Sequence, residues 1–367
     1  MKSRINSRNI IVYHAAYLWY ADGEVIYTVK RPYVNLNSDN TIQKMLDALD
    51  KSLYMFTAID GVAGITLNGG LSRGYGDCLS EIDVVIYLHE KQFMEYKNGL
   101  YPFALGITMI DGYLYDIKTV SIERELESDY DSIALWDLSY AKITYDPKLQ
   151  IADFIKQKLS KPVDISYASG FLWSAYWSYK LAGDIWIHRQ DALQGHFTFN
   201  NAISPLISAL FIANYEYVPH EKWLAHMSRS LSWIPENWSE RLKKAMDTGD
   251  YSIQSLIDRQ HCIDCLWREI NRKLCDLSGF YSKLDFVQKG SYEMLNRLAK
   301  KSEYTLAEWE AVSSLDSLNY EPVHSIFKRM GDMIIFDKNA LLSLKPEDMY
   351  VWMYEIADQV KERMSAL

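Results

Sequence analysis

The stretch from residue 64 to residue 88 constrains the fold more than any other part of the sequence. A short apolar run, Gly64 to Leu67, leads into a glycine pair, Gly69 and Gly70, and a second apolar run, Ile82 to Leu88, follows after a loop. Short apolar runs bounded by glycine and polar turn residues are typical of buried strands. We therefore expect two buried strands connected by a glycine-rich turn.

Two carboxylates open the second of these strands. Glu81 and Asp83 are separated by one residue, so on a strand their side chains lie on one face while Ile82 and Val84 face the core. Like charges at this spacing oppose ionisation unless a cation lies between them. Magnesium supplies such a cation, and nucleotidyl transfer commonly uses two metal ions ~4 Å apart held by carboxylates. Glu81 and Asp83 are thus predicted metal ligands and catalytic residues.

A third carboxylate is predicted from a hairpin that follows in the sequence. The runs Ile107 to Ile110 and Tyr113 to Val120 flank Asp111-Gly112, a dipeptide that strongly favours a tight hairpin turn. Asp116 lies between two large apolar residues of the second run, so its side chain faces away from theirs and can complete a metal site. Asp111 or Glu123 would serve instead if the strand register were shifted.

The turn between the two buried strands has the composition of a phosphate-binding loop. Gly69 and Gly70 let the backbone approach a phosphate closely, and Ser72 together with backbone amides can donate hydrogen bonds to it. Arg73 adds a positive charge next to these donors. We predict that Gly69, Gly70, Ser72 and Arg73 bind the phosphates of a nucleotide.

The combination of a strand, a glycine pair and two carboxylates spaced by one hydrophobic residue resembles the signature of the DNA polymerase β-like nucleotidyltransferase superfamily. Arg189-Gln190-Asp191, and later Asn214, Tyr217, Pro219, Lys222 and Trp223, resemble a pattern in the helical domains of its antibiotic-modifying and minimal members. The resemblance implies two Mg²⁺ ions held by Glu81, Asp83 and Asp116. It also implies an NTP, ATP in the first instance, as substrate, with Lys222 at its phosphates.

The sequence departs from that signature at two positions. Gly70 stands where the family often has serine, and Glu81 stands where its first carboxylate is normally aspartate. Magnesium tolerates little geometric error in its ligands. Two hypotheses therefore stay open: an enzyme that transfers a nucleoside monophosphate, AMP in the first instance, to a hydroxyl of a small molecule or protein, and a pseudoenzyme or interaction protein that binds a nucleotide without turnover.

The order of the predicted elements indicates an α+β protein of two domains. Residues 1–150 read as the catalytic domain with a mixed sheet. They begin with a hairpin (Ile10 to Tyr20 and Val25 to Lys30 around Asp22-Gly23) and a helix from Ile42 to Phe56 capped by Ser38 or Asp39. Residues 151–367 show long helical periodicity and are predicted to be an all-helical domain that closes the nucleotide cleft.

Charge and composition narrow the partners and the location. The formal net charge of −9 argues against nucleic acid as the main partner, because phosphate recognition favours a basic surface. The sequence shows no signal-peptide pattern and no apolar run near the ~20 residues that span a bilayer. We therefore expect a cytoplasmic protein. In that location we also expect its four cysteines to be free thiols rather than ligands of a zinc site.

Overall fold

The computed structural model describes residues 18–21, 24–28 and 31–365, with side chains from residue 31 to residue 364. The chain forms two compact units. The first contains the residues up to 164 together with residues 203–244, and the second contains residues 165–202 and 245–367. The sequence predicts a single division of the chain, at residue 150, whereas in the structure the chain returns to the first unit after leaving it.

A five-stranded mixed sheet is the centre of the first unit. Its strand order is β5-β6-β4-β3-β7. The central strand β4 pairs in parallel with β6 and antiparallel with β3, while β5 and β7 join antiparallel at the two edges. The strands up to residue 145 are β1 (Leu18–Ala21), β2 (Glu24–Thr28), β3 (Val62–Leu67), β4 (Ile82–Leu88), β5 (Gly106–Ile110), β6 (Tyr113–Ser121) and β7 (Lys142–Tyr145).

Both predicted hairpins involve residues that pair in the structure. β5 and β6 are antiparallel, and the turn residues Asp111 and Gly112 both have positive φ angles, 47° and 83°. Two consecutive positive φ angles match the two-residue turn that suits the twist of a hairpin. β1 and β2 also pair antiparallel, but residues 10–17, Asp22 and Gly23 of the first predicted hairpin lie outside the described residues.

Helices cover both faces of this sheet. Those up to residue 158 are α1 (Ile42–Thr57), α2 (Gly69–Ser72), α3 (Glu90–Lys97), α4 (Ile122–Glu127), α5 (Ser132–Leu138) and α6 (Gln150–Lys158). On one face α1 buries Met45, Leu49 and Phe56 against alternate residues of β3, β4 and β6. On the other face Ile151 and Phe154 of α6 pack near Tyr87 of β4. The alternation along β4 thus assigns Asp83 to the α6 side.

The predicted cap of the first helix was wrong. α1 begins at Ile42 behind Thr41, and neither Ser38 nor Asp39 caps it. The backbone N–H of Ile42 donates instead to the side chain of Asn40 at 3.1 Å. Ser38 bonds to Asp77 at 3.3 Å and to Tyr75, because the segment before α1 packs on the loop that follows the glycine pair.

From residue 168 onwards the chain is predominantly helical. The helices are α7 (Ala168–Tyr176), α8 (Ala182–His188), α9 (Ala192–Ile212), α10 (Glu221–Ser228), α11 (Trp238–Met246), α12 (Ile253–Ser278), α13 (Lys289–Lys301), α14 (Leu306–Glu310), α15 (Lys338–Ser343) and α16 (Val351–Ser365). None of the helices in the described part of the chain is long and apolar enough to cross a membrane.

The α+β prediction is confirmed, with one addition in the second unit. Three short strands, β8 (Glu303–Thr305), β9 (Phe327–Met330) and β10 (Met333–Phe336), form an antiparallel sheet. Ile334 of β10 is fully buried in the core of that unit beside Trp309. Strands of three or four residues carry too little periodicity to be recognised in a sequence, and for this reason the region was predicted to be all-helical.

Candidate active site

The parallel pairing of β4 and β6 brings the three predicted carboxylates together. Asp83 and Asp116 are register partners across the two strands, and Glu81 lies one residue before β4 begins. One carboxylate oxygen from each of the three residues lies within 4.8 Å of the others, and all three side chains are partly buried. Three hard oxygen donors at this spacing fit the ligands that Mg²⁺ prefers.

The alternatives to Asp116 lie elsewhere. Asp111 is part of the turn between β5 and β6. Glu123 lies in α4 beyond the end of β6, where its carboxylate accepts hydrogen bonds from the Glu90 backbone N–H and from Ser121 and pairs with His89 at 2.9 Å. Neither residue joins the cluster, so the strand register expected from the sequence is the one that the structure has.

The first glycine of the turn is required by the carboxylate beside it. Gly69 has a φ angle of +64°, and a Cβ atom built there would lie 1.7 Å from Oδ2 of Asp83. No side chain fits in that space, and the backbone angle itself favours glycine. Gly69 therefore leaves space for the carboxylate of Asp83, in addition to the close approach of its backbone to a phosphate that the sequence predicts.

Electrostatics at the cluster is unfavourable without a cation. Burial, followed by the negative charges of Glu81 and Asp116, raises the pKa of Asp83 to about 6. Lys118 offsets part of this repulsion, since its ammonium group lies 2.9 Å from Oδ2 of Asp116. The hydrogen bond to Asp116 in turn raises the pKa of Lys118. Lys118 was not among the predicted site residues, although its spacing of two from Asp116 puts it on the same strand face.

The cluster forms part of a cavity of about 700 Å³. All the predicted site residues except Ser72 line this cavity, including Lys222 near the start of α10, whose side chain is exposed. Every lining residue belongs to the first compact unit. The cavity thus combines residues from both sides of the predicted domain boundary at residue 150.

Ser72 is not brought to the cavity wall. Its side chain is 5% exposed, and its hydroxyl donates to the backbone carbonyl of Gly69 at 2.9 Å. This bond closes the single turn of α2. Ser72 therefore fixes the shape of the glycine turn rather than offering a free donor.

Arg73 is held rigidly in the wall of the cavity. Its side chain is only 4% exposed, and Nη1 donates to Asp137 at 2.9 Å. The guanidinium carbon lies 4.4 Å from the ring centroid of Trp136, within the range of a cation–π contact. Asn68 donates to the other oxygen of Asp137, also at 2.9 Å. These contacts connect Arg73 to the residue that precedes the glycine pair.

Sequence reasoning missed Asp137 and Trp136 because nothing in their local pattern distinguishes them. Both lie on α5 (Ser132–Leu138), a seven-residue helix that was not among the elements predicted from the sequence. Their proximity to Arg73 depends on how α5 packs on the sheet. A carboxylate and an indole become recognisable as part of this site only through that packing.

No protein-family model and no curated protein matches the chain. Among solved structures, the chain is similar to a nucleotidyltransferase-like protein from Exiguobacterium sibiricum 255-15, with 11% sequence identity and a TM-score of 0.38. The similarity covers 80% of this chain and 99% of that protein.

Proposed function

We propose that this protein is a magnesium-dependent nucleotidyltransferase that transfers a nucleoside monophosphate, AMP in the first instance, from an NTP to a hydroxyl of a small molecule or protein. One observation carries the proposal: carboxylate oxygens of Glu81, Asp83 and Asp116 lie within 4.8 Å of one another, at the start of β4 and on the neighbouring strand β6. Gly69 approaches Asp83 so closely that no side chain would fit at its position. Converging carboxylates beside a glycine turn are what metal-assisted transfer to phosphorus needs.

In this proposal the three carboxylates hold the metal and the turn holds the nucleotide. Mg²⁺ held by these carboxylates would neutralise charge on the departing pyrophosphate and would activate an acceptor hydroxyl for transfer to the α-phosphorus. The backbone at Gly69 and Gly70 lies against the phosphates. Arg73, fixed by Asp137, and the exposed Lys222 provide positive charge from the cavity wall, while Ser72 acts indirectly by shaping the turn.

The proposal is tested by incubating the protein with Mg²⁺, each NTP labelled at the α-phosphate, and a panel of hydroxyl acceptors. We expect pyrophosphate release and a labelled product, both abolished by EDTA. NTP binding itself should weaken strongly in EDTA, because the clustered carboxylates repel a triphosphate. Equal NTP affinity with and without EDTA would remove the metal-site assignment.

A second candidate is a nucleotide-binding pseudoenzyme of the same design. The ion pair between Lys118 and Asp116 favours it, since the third carboxylate already has an internal partner at 2.9 Å. Glu81 also favours this candidate, because its side chain is longer than that of the aspartate usual at this position. Metal-dependent NTP binding without pyrophosphate release, over the whole acceptor panel, is the result that selects this candidate.

A further inference from the structure

Three buried N–H groups on the wall of the cavity have no hydrogen-bond acceptor within the described part of the chain. They are Nε of Arg73, Nε1 of Trp136 and Nε1 of Trp223. All three residues line the cavity, and the guanidinium carbon of Arg73 lies 4.4 Å and 5.6 Å from the two indole rings. We call these three residues the donor wall.

Other buried tryptophans in the described part of the chain have paired N–H groups. The indole N–H of Trp238 donates to Ser228 at 2.9 Å, and that of Trp267 donates to the backbone carbonyl of Leu172 at 2.9 Å. Buried polar groups are nearly always paired, and each exception calls for an explanation. At the donor wall, three unpaired buried N–H groups occur together, one on Arg73 and one on each of the two tryptophans beside it.

Two cations lie at the donor wall, whereas the carboxylates Glu81, Asp83 and Asp116 of the same cavity lie at the cluster on β4 and β6. Arg73 carries a positive charge, and the ammonium group of Lys222 lies 5.9 Å from the Trp223 ring. The carboxylate that contacts the wall is Asp137, and its two oxygens already accept hydrogen bonds from Arg73 and Asn68. Asp137 therefore orients the arginine, and the three open N–H groups remain for another acceptor.

We infer that the donor wall is an oxyanion subsite, which binds a phosphoryl or carboxylate group through Arg73, Trp136 and Trp223. An oxyanion is the ligand that can accept several N–H donors at once and match a positive charge. The inference rests on the proposed function and refines it, since the oxyanion is either the phosphate tail of the NTP or an acidic group of the acceptor. Binding at the wall itself requires neither metal nor turnover.

Calorimetry with inorganic phosphate and with pyrophosphate, in EDTA, tests the subsite on the full-length protein. Trp223→Phe and Trp136→Phe remove one N–H each and keep an aromatic ring, while Arg73→Lys keeps the charge and removes Nε. We expect each change to raise the Kd about tenfold, the usual effect of losing one hydrogen bond to a charged group. Should Trp136→Phe fail to fold, the two other variants still decide the question.

Trp238→Phe is the matched control, because Trp238 is 1% exposed in the same compact unit and its N–H is already paired. We expect this variant to melt at a lower temperature and to keep its phosphate Kd within about twofold, as expected for a residue outside the site. Absence of phosphate and pyrophosphate binding by the unmodified protein would overturn the inference, and so would an unchanged Kd in both Trp223→Phe and Arg73→Lys.

Two further measurements separate the source of the oxyanion and the underlying function. The first is the affinity for MgATP, measured with and without saturating phosphate. If phosphate weakens MgATP binding, the donor wall binds the phosphate tail of the nucleotide. If the two ligands bind independently, the donor wall binds the acidic group of the acceptor. Asp83→Asn should strongly lower transfer and, in EDTA, bind phosphate at least as tightly as the unmodified protein, because one of the carboxylates that repel an anion is removed. Loss of the metal-site evidence alone would therefore contradict the proposed function. Absence of phosphate binding alone would contradict the oxyanion subsite.

Discussion

Among the glycines in the described part of the chain, Gly69 leaves the least room for a side chain. Gly69→Ala would put a methyl group 1.7 Å from Oδ2 of Asp83, so either the carboxylate or the turn must move. We expect Mn²⁺, used as a spectroscopic substitute for Mg²⁺, to bind at least ~10-fold more weakly, because metal affinity falls steeply when a ligand is displaced. Electron paramagnetic resonance of free Mn²⁺ measures this directly.

Gly74→Ala is the control for backbone strain. Gly74 also has a positive φ angle, +91°, but nothing lies within 4 Å of a Cβ atom built there. Both alanine variants should lose about 1 kcal/mol of stability from the left-handed backbone, and only Gly69→Ala should lose metal affinity. Equal metal affinity in the two variants would contradict the role given to Gly69.

Asp83 is the carboxylate whose loss should be most damaging to transfer. Asp83→Asn keeps the shape of the side chain and removes an anionic ligand, so we expect transfer to fall ~100-fold or more. In EDTA the variant should melt no lower than the unmodified protein, because a buried charge repelled by its neighbours has been removed. Glu123→Gln, a change outside the cluster, should keep transfer near its normal rate.

Glu81→Asp distinguishes the two candidate functions. If Glu81 is a working ligand adapted to this site, shortening it moves the carboxylate by one methylene and transfer should fall ~10-fold, given the narrow geometry of magnesium. If Glu81 is the lesion of a pseudoenzyme, the same change restores transfer where none was measurable. The proposed enzyme requires the first result, measured as labelled product per unit time.

At the scale of elements, β6 carries both a metal-ligand candidate and the cation that competes with the metal. Asp116 and Lys118 lie on one face of this strand, and their side chains form an ion pair at 2.9 Å. Lys118→Met removes the internal cation and keeps most of the aliphatic packing. We expect Mn²⁺ to bind several-fold more tightly and the protein in EDTA to melt at a lower temperature, because three carboxylates are then uncompensated.

Lys97→Met is the comparison for this variant, since Lys97 lies at the end of α3, outside the cavity. It should change neither Mn²⁺ affinity nor the effect of EDTA on melting. Weaker Mn²⁺ binding in Lys118→Met would mean that Lys118 supports the metal site rather than competing with it.

The elements that were predicted well are those whose own sequence determines them. The alternation around Asp83 and Asp116 determines which strand face each side chain occupies, and the Asp111-Gly112 turn determines the register of β5 with β6. The parallel pairing of β4 with β6, which places the two aspartates side by side, is a non-local contact that these signals do not fix. The start of α1 at Ile42 was predicted, but its cap was not, because Ser38 bonds to the loop at Asp77 instead of to the helix. A cap that has a competing tertiary partner cannot be distinguished by local sequence.

At the scale of the whole molecule, an ion pair connects Arg31, which precedes α1, to Glu216 in the later segment of the first compact unit. Nη2 of Arg31 contacts Glu216 at 3.0 Å, and the two side chains are 12% and 7% exposed. Glu216→Leu removes a carboxylate that pairs with a largely buried guanidinium, and breaking a buried ion pair from one side typically costs about 3 kcal/mol or more. We expect a clear fall in the urea midpoint of unfolding.

The double variant Arg31→Met with Glu216→Leu should recover most of that loss, since apolar pairs often replace buried ion pairs without a net cost. Lys243→Ala removes an exposed ion pair with Glu240 and should change the free energy of unfolding by less than about 1 kcal/mol. No recovery in the double variant would show that Arg31 matters through contacts other than this charge pair.

The organisation of the whole molecule was the part least accessible from sequence. Lys222 was predicted from a resemblance, but nothing in residues 203–244 indicates that they belong to the same compact unit as the glycine turn. Contacts such as those of Arg73 with Trp223 join residues far apart in the chain, and only tertiary packing determines them. Periodicity and turn chemistry act over a few residues and carry no such information.

The discontinuous first unit has a consequence for how the protein is made. A ribosome completes the strands that carry the carboxylates by residue 121, but the segment that supplies Trp223 and Lys222 follows only after residue 203. At a synthesis rate of ~5–20 residues per second, the nascent sheet waits roughly 5 to 20 s for those later residues. During that interval the contacts that the later segment makes with the sheet unit, such as that of Trp223 with Arg73, cannot form.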